Sequence, residues 1–486
     1  MRRHRLNLGA AVLRFWAAAC LTSIACAPPS PAPAPSVLLI TVDTLRPDYL
    51  GMNGYDRPTS PAIDDLLSRG FYFEQAVAPV ARTTPALAAL LTGTYPHTNG
   101  VRTLTDKLSA DVGTLTEAMA QSGYQTLAVV TNQVLTRERG LSRGFDVYDV
   151  APDARTAEAT TDSALELLKS LRGDAPAFVW IHYIDPHVPY DGDPEIARRM
   201  DPSYSGPYQD HFGRNGQAGR RGSHEPFPED LPKGLATHRN PLSEAVNAHI
   251  RRLYAADIRA LDDQVGRLVG AARERFGSNL LIVFTADHGE SLGEHDLYFD
   301  HGDYVYNAGT RIPLGFVLPP RHPLHGSARC GGWVSLVDVL PTLFELLGRD
   351  VPDHLLDQIE GRPLTACMRG EADAALPVFA ESGYSYYFAD VKRRKRNDVA
   401  GRLRSVVRGE WKLIWAPFAP EDEAWELYRV SEDPHEIENV YRPAHPAAQA
   451  LRPLLARWAD LSGPAPESRP LTPEDEAALR ELGYLE

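Results

Sequence analysis

Residues 36–48 read SVLLITVDTLRPD, a short and almost wholly apolar run that ends on Asp43. Unbroken rather than alternating hydrophobicity is the pattern of a strand buried on both faces, and the C-terminal end of such a strand is where an α/β sheet delivers polar side chains to a site. The same pattern recurs at 125–131 (QTLAVVT), 177–183 (AFVWIHY), 279–285 (NLLIVFT) and 314–318. Between these runs, 60–69, 85–91, 112–121, 156–171, 243–276 and 335–347 carry apolar residues three and four apart, which predicts helices. Strands alternating with helices predict an α/β fold, a large, mainly parallel or mixed sheet sandwiched by helices.

Outside this rhythm the chain changes texture three times. Residues 191–240 are rich in Asp, Arg, Gly, His and Pro, and read as a long loop inserted over the active face. Beyond about residue 370, LRSVVRGEWKLIWA (403–416) and AWELYRV (424–430) predict strands of a small antiparallel sheet, followed by a helix over 446–459. The expected organisation is therefore a main α/β domain over 36–370 and a smaller C-terminal α+β domain with a tail over 371–486.

The N-terminus puts Arg2, Arg3, Arg5 and Arg14 ahead of FWAAACLTSIA, an apolar stretch too short to span a bilayer. Residues 1–26 read as an export signal. Ser23-Ile24-Ala25-Cys26 resembles a bacterial lipoprotein cleavage box, with Ser where Leu is usual, so Cys26 is the expected lipid anchor and plain signal cleavage the alternative. Residues 27–35 (APPSPAPAP) form a Pro/Ala tether. This predicts an exported protein of a bacterial cell envelope or periplasm. No other run is long and apolar enough for a membrane span.

The net charge of −14 argues against a nucleic-acid or anionic-lipid partner, and the one basic run, VKRRKR at 391–396, reads as a solvated loop. Cys330 and Cys367 are free to pair in an oxidising compartment, but their spacing does not decide it.

Two strand ends deliver acids and an imidazole: Asp43 in ITVDTLRPD, and Asp287 and His288 in VFTADHGESLGEH. Hard oxygen ligands with one nitrogen suit a divalent metal ion. VARTTPALAALLTG (80–93) reads as a helix start with Thr84 as N-cap and Pro85 as first helical residue. Thr83 then offers a hydroxyl beside the free N–H groups of that helix start.

Taken in order, LLITVDTLRPDYLG, TPALAALLTGTYPHTNGV, HYIDPHVPY, DDQVGRLV, VFTADHGESLGEHDLYFDHG, RIPLGFVLP, SLVDVLPTLFELLG and LRSVVRGEWKLI…WELY…EDPHEIENV resemble the sulfatase family of the alkaline-phosphatase superfamily over roughly 37–441. The family nucleophile stands two residues before the Pro of a Cys/Ser-x-Pro-x-Arg motif, which here is Thr83, and the motif Arg is replaced by Leu87. In sulfatases Cys or Ser becomes formylglycine; Thr has no route to that aldehyde, so no formylglycine is expected. A Thr nucleophile resembles instead the phosphorus-directed branches of the superfamily. That resemblance implies a metal site of Asp43, Thr83, Asp287 and His288, with Thr83 as nucleophile. His187 and His301 match positions that contact the substrate anion or leaving group.

His182, inside an apolar strand, reads as a satisfied core residue, and His97 as structural; Arg46 and Asp185 stay open. The Asp-x-x-x-His spacing of two-metal relatives is missing around Asp185, so one divalent ion (Ca, Mg, Mn or Zn) is expected. The leading function is a metal-dependent hydrolase of phosphate mono- or diesters or phosphonates, acting on a small anionic ester or a glycan or lipid head group. The alternatives are a sulfuric ester hydrolase, a phosphoethanolamine- or phosphoglycerol-type transferase, and an inactive binding homologue.

Overall fold

The computed structural model of the 486-residue chain describes residues 34–151, 155–213, 242–371, 375–385, 399–461 and 471–481. The expected export signal with Cys26, nearly all of the expected tether, the basic run and most of the 191–240 insertion lie outside the described residues. Residues from Ala34 onward form one compact unit. Among the described residues no helix is long and apolar enough to cross a membrane.

Eight strands build the main sheet: β1 (Ser36–Val42), β2 (Phe71–Val77), β3 (Gln125–Val130), β4 (Val147–Val150), β5 (Ala177–Tyr183), β6 (Leu280–Ala286), β9 (Arg311–Val317) and β10 (Ala328–Ser335). Between β6 and β9 a two-stranded ribbon pairs β7 (Ser291–Leu292) with β8 (Tyr298–Asp300). The order in the main sheet is β10-β2-β9-β6-β1-β5-β3-β4. Only β9 runs against its neighbours, so the sheet is mixed and mainly parallel as expected. Every residue of β1, β5 and β6 is buried, which explains their uninterrupted apolar sequences.

Three strands of the main sheet escaped the sequence reading. FYFEQAV (β2) is interrupted by the half-buried Glu74 and Gln75, ARCGGWVS (β10) carries two glycines and a register shift between Cys330 and Trp333, and β4 spans only four residues.

The sheet is flanked by helices α1 (Pro61–Ser68), α2 (Thr83–Thr92), α3 (Leu115–Gln121), α4 (Ala157–Ser170), α5 (Glu244–Phe276) and α6 (Val339–Leu346). α5 packs on α1 and α4, and α2 packs on α6. Asp262 of α5 accepts the Ala62 and Ile63 N–H groups at 3.0 and 2.8 Å, satisfying the first turn of α1 from another helix.

The C-terminal part is an antiparallel sheet of β11 (Val378–Ser385), β12 (Arg402–Arg408), β13 (Trp411–Trp415) and β14 (Trp425–Arg429), covered by α7 (Pro446–Asp460). Val406, Leu413 and Leu427 of this sheet share a core with Leu451, Leu455 and Trp458 of α7 and with Ala89 and Tyr95 of the main body. Cys330 and Cys367 form a disulfide, Cα atoms 6.1 Å apart.

Candidate functional site

The site begins with the register of three strands. β1 lies between β5 and β6, with Thr41 opposite both His182 and Thr285, and Val42 opposite Tyr183 and Ala286. Asp43 N–H donates to Tyr183 O at 2.8 Å and Asp287 N–H to Val42 O at 3.1 Å, so both acids leave the sheet at one level. Thr44 then turns into the left-handed region (φ 55°), a costly backbone for a β-branched residue. The turn directs its N–H to Asp287 Oδ1 at 3.2 Å.

Asp43, Asp287 and His288 converge, all fully buried. His288 N–H donates to Asp287 Oδ1 at 2.7 Å. Its Nδ1 is 2.9 Å from Gly289 O, which can only accept, so Nδ1 carries the ring proton. Burial, then the neighbouring His301, push the His288 pKa well below its ordinary value, so the ring is neutral. Its Nε2 therefore turns a lone pair toward Asp43 Oδ1 at 3.6 Å and Asp287 Oδ2 at 3.5 Å. Burial and the charge of Asp43 raise the Asp287 carboxyl well above the usual range. Neither Asp287 Oδ2 nor His288 Nε2 has a hydrogen-bond partner. Two buried carboxyl groups and an imidazole lone pair brought together at this range are a donor set that a divalent cation takes, so the residues fit the expected metal.

His182 requires a correction. Rather than a satisfied core residue, it groups with Asp43 and Asp287 as a possible metal-holding set, ligand atoms within 4.8 Å of one another. Its Nδ1 shares a 2.9 Å hydrogen bond with Thr41 Oγ1, which also accepts from Trp180 Nε1 at 2.9 Å. Its Nε2 has no hydrogen-bond partner and lies 3.9 Å from Asp43 Oδ2. Burial, then His288, lower its pKa to about 3, so it too is neutral. His288 approaches the carboxylate pair more closely than His182 does, and we take His288 as the nearer nitrogen and His182 as a second imidazole flanking the same pair. The sequence hid His182 because a strand covered on both faces has no polar side to betray a functional residue.

The helix that brings the hydroxyl starts earlier than expected. α2 begins at Thr83, with Arg82 extended (φ −147°, ψ 136°) as N-cap and Arg82 O accepting from Ala86 N–H at 3.0 Å. Thr84 is not the cap; its hydroxyl donates to Leu104 O at 2.9 Å. Pro85 is tolerated in the first turn because N–H groups there have no intrahelical partner in any case. Thr83 thus sits within the helix at its first position, its Oγ1 3.4 Å from Asp43 Oδ2. Leu87, in the position of the family Arg, is fully buried in the main core.

His187 and His301 also reach the site. The His301 ring lies 4.5 Å from His288 and 5.1 Å from His187, centroid to centroid. The buried Glu290, which sequence reading passed over, pairs with His301 Nδ1 at 3.2 Å, and His187 Nδ1 bonds Val188 O at 2.6 Å. Asn132, likewise not singled out, joins Asp43 and Thr83 through its side-chain amide. Arg82 is buried between Gly302 (φ 85°) and Gly383, where an added Cβ would strike its side chain, and its guanidinium covers the Tyr384 ring at 4.4 Å and faces Asp303 at 3.9 Å.

The remaining candidates stand elsewhere. His97 pairs with Glu360 at 2.7 Å and stacks on Tyr95, a structural contact. Arg46 is committed to Asp48 and Glu294, each at 2.7 Å, and to Glu290 O at 3.0 Å. It lines a surface cavity of about 650 Å³ that does not include Asp43, Thr83 or Asp287. Asp185 follows β5 and immediately precedes the cis Pro186.

A deep, charged site at the C-terminal edge of a mainly parallel sheet, built from strand-end acids and a helix-start hydroxyl, defines a hydrolase-like α/β protein. A family model described as Sulfatase matches residues 35–349, and one described as N-sulphoglucosamine sulphohydrolase, C-terminal, matches 293–458. The chain belongs to the sulfatase family, within the alkaline-phosphatase-like superfamily of ester hydrolases. Human iduronate 2-sulfatase is 25% identical, the match covering 84% of this chain and 91% of that protein. N-acetylglucosamine-6-O-sulfatase of Bacteroides thetaiotaomicron is 22% identical over 84% of this chain and 83% of its own. Similar folds occur in a phosphonate monoester hydrolase of Agrobacterium radiobacter (TM-score 0.64, 22% identity, 88% of this chain and 95% of that one). They also occur in a protein solved with its substrate D-glucosamine-2-N,6-O-disulfate (TM-score 0.69, 19% identity, 90% and 100%).

Proposed function

We propose that this chain is a metal-dependent hydrolase that cleaves an anionic phosphate ester, diester or phosphonate through Thr83. The observation that carries this reading is the hydroxyl itself: Thr83 Oγ1 stands at a helix start, 3.4 Å from Asp43 of the carboxylate–imidazole group. A bound divalent ion would be held by Asp43, Asp287 and His288, with His182 beside them, and would favour the ionised hydroxyl and screen the non-bridging oxygens. Thr83 Oγ1 attacks phosphorus as the bond to the leaving alcohol breaks; water then releases the phosphoryl group from Thr83. The free N–H groups at the start of α2 face the same anion, and His187 and His301 contact its oxygens or the leaving group. Likeness to a phosphonate monoester hydrolase supports phosphorus as the centre attacked.

Sulfate ester hydrolysis is the second reading, favoured by relatives named as sulfatases. Against it, a sulfo-threonine lacks the aldehyde hydrate that lets formylglycine shed its product. We also propose export and lipid attachment at Cys26, and the Cys330–Cys367 bridge supports an oxidising compartment. The deciding experiment gives matched nitrophenyl phosphate, phosphodiester, phosphonate and sulfate esters to the metal-loaded protein and to Thr83→Ala. Turnover of phosphorus esters that disappears in the variant is expected; turnover of sulfate alone, or an unimpaired variant, rejects the proposal.

A further inference from the structure

Asn132 follows β3, is 1% exposed, and is fixed at both ends of its amide. Its Oδ1 accepts from Val134 N–H at 3.1 Å, which settles which end is oxygen. Its Nδ2 lies 2.7 Å from Asp43 Oδ2 and 3.4 Å from Thr83 Oγ1. An amide nitrogen carries two hydrogens, so one atom serves both oxygens.

We infer that Asn132 is a positioning residue that bridges the Asp43 carboxylate and the Thr83 hydroxyl and holds them in reactive register. This rests on Thr83 being the nucleophile. Thr83 Oγ1 and Asp43 Oδ2 are 3.4 Å apart in a buried site. Once the hydroxyl is ionised, the two oxygens bear like charge at that separation, a repulsion that opposes ionisation. Two N–H dipoles aimed at those oxygens offset it, and they are in place before reaction, so no reorganisation is needed. The same bridge selects, among the staggered χ1 wells of Thr83, the one that turns Oγ1 toward Asp43. The group is neutral, so it aims the nucleophile without competing with a cation for the carboxylates.

Asn132→Asp keeps the acceptor for Val134 N–H but puts an acceptor oxygen and a charge where the donor was. Asn132→Ala loses donor and acceptor without adding charge, so the pair separates loss of the donor from loss of the Val134 contact. With the metal-loaded full chain and bis-nitrophenyl phosphate, both variants are expected to lower kcat about 100-fold, with KM changed less than about 3-fold, the effect of removing one preorganised donor. A second readout needs neither metal nor turnover. In the apo protein labelled with ¹⁵N-asparagine, Thr83→Val should move one hydrogen of the Asn132 side-chain NH₂ pair. Wild-type kcat in Asn132→Asp, or an NH₂ pair unmoved by Thr83→Val, overturns the inference. If Thr83→Ala keeps its turnover, the nucleophile reading fails and the inference with it. If Thr83→Ala is inactive while Asn132→Asp is not, only the role of Asn132 fails.

Discussion

Two of the buried clusters of charged side chains among the described residues are built on opposite principles. Where the small sheet meets the main body, Lys412 Nζ donates to Glu436 at 2.7 Å and to Asn307 Oδ1 at 2.9 Å, while Asn307 N–H donates to Glu436 Oε2 at 2.5 Å. Opposite charges and one amide close that cluster on itself. At the end of the parallel sheet, Asp43 and Asp287 face each other with neutral imidazoles between and beside them, a set of ligand atoms rather than of opposite charges. The closed cluster is a structural joint. The other gathers the donor atoms that a divalent ion takes, and the difference between them separates a fastener from a site.

The comparison breaks most directly at Thr83. Thr83→Ala should lower kcat by about six orders of magnitude, as for the loss of another covalent nucleophile, while leaving the melting temperature near wild type; a variant with full turnover would put the reaction elsewhere. Lys412→Met should do the reverse. Leaving Glu436 buried and unpaired costs about 3–5 kcal/mol of stability, seen in denaturant unfolding, and Lys412→Met with Glu436→Leu should recover much of that loss. If the single variant unfolds like wild type, the closed cluster is not the joint described.

Removing divalent ions with a chelator should come next in size. A ligand at a hundred times its dissociation constant adds about 2.7 kcal/mol, and that increment should be missing from Asp43→Asn/Asp287→Asn. The last test is protonic. Because Asp287 is held above the usual carboxyl range, it contributes stability to the ion-free protein below that range and loses it as the pH rises through the folded value. His182, lowered to about 3, works the other way: its contribution is present above the ordinary imidazole pKa and lost as the pH falls toward 3. Ion binding must therefore displace the proton of Asp287, and calorimetry in buffers of different ionisation heat should show proton release at any pH below the folded value of Asp287, and affinity rising with pH. Uptake of protons would contradict the assignment.

How far the sequence could be read follows from what each residue must signal. Asp43, Asp287 and His288 stand where apolar strands end, and their polarity is visible against that background. The helix from 85 was legible from its apolar spacing, but its first turn was not, since Pro85 is compatible with more than one early position and only backbone geometry chooses Arg82 over Thr84 as the cap. His182 lay within a strand whose residues are all buried, so neither alternation nor burial marks it. Asn132 carried no pattern at all; its meaning is wholly tertiary, given by β1 and α2 arriving at its amide. β2 and β10, with charged residues or glycines mid-strand, are held by neighbours rather than by their own composition.

The central place of β1 has a consequence during synthesis. Its partners β5 and β6 begin at Ala177 and Leu280, far downstream of Ser36. A ribosome adding about 5–20 residues per second needs roughly 10–50 s to travel from β1 to β6. For that interval the nascent chain carries SVLLITV, uncharged and rich in β-formers, with one edge still open, a composition prone to intermolecular pairing. The strand that makes the cation cluster possible thus waits for its partner on one side until β6 has been made.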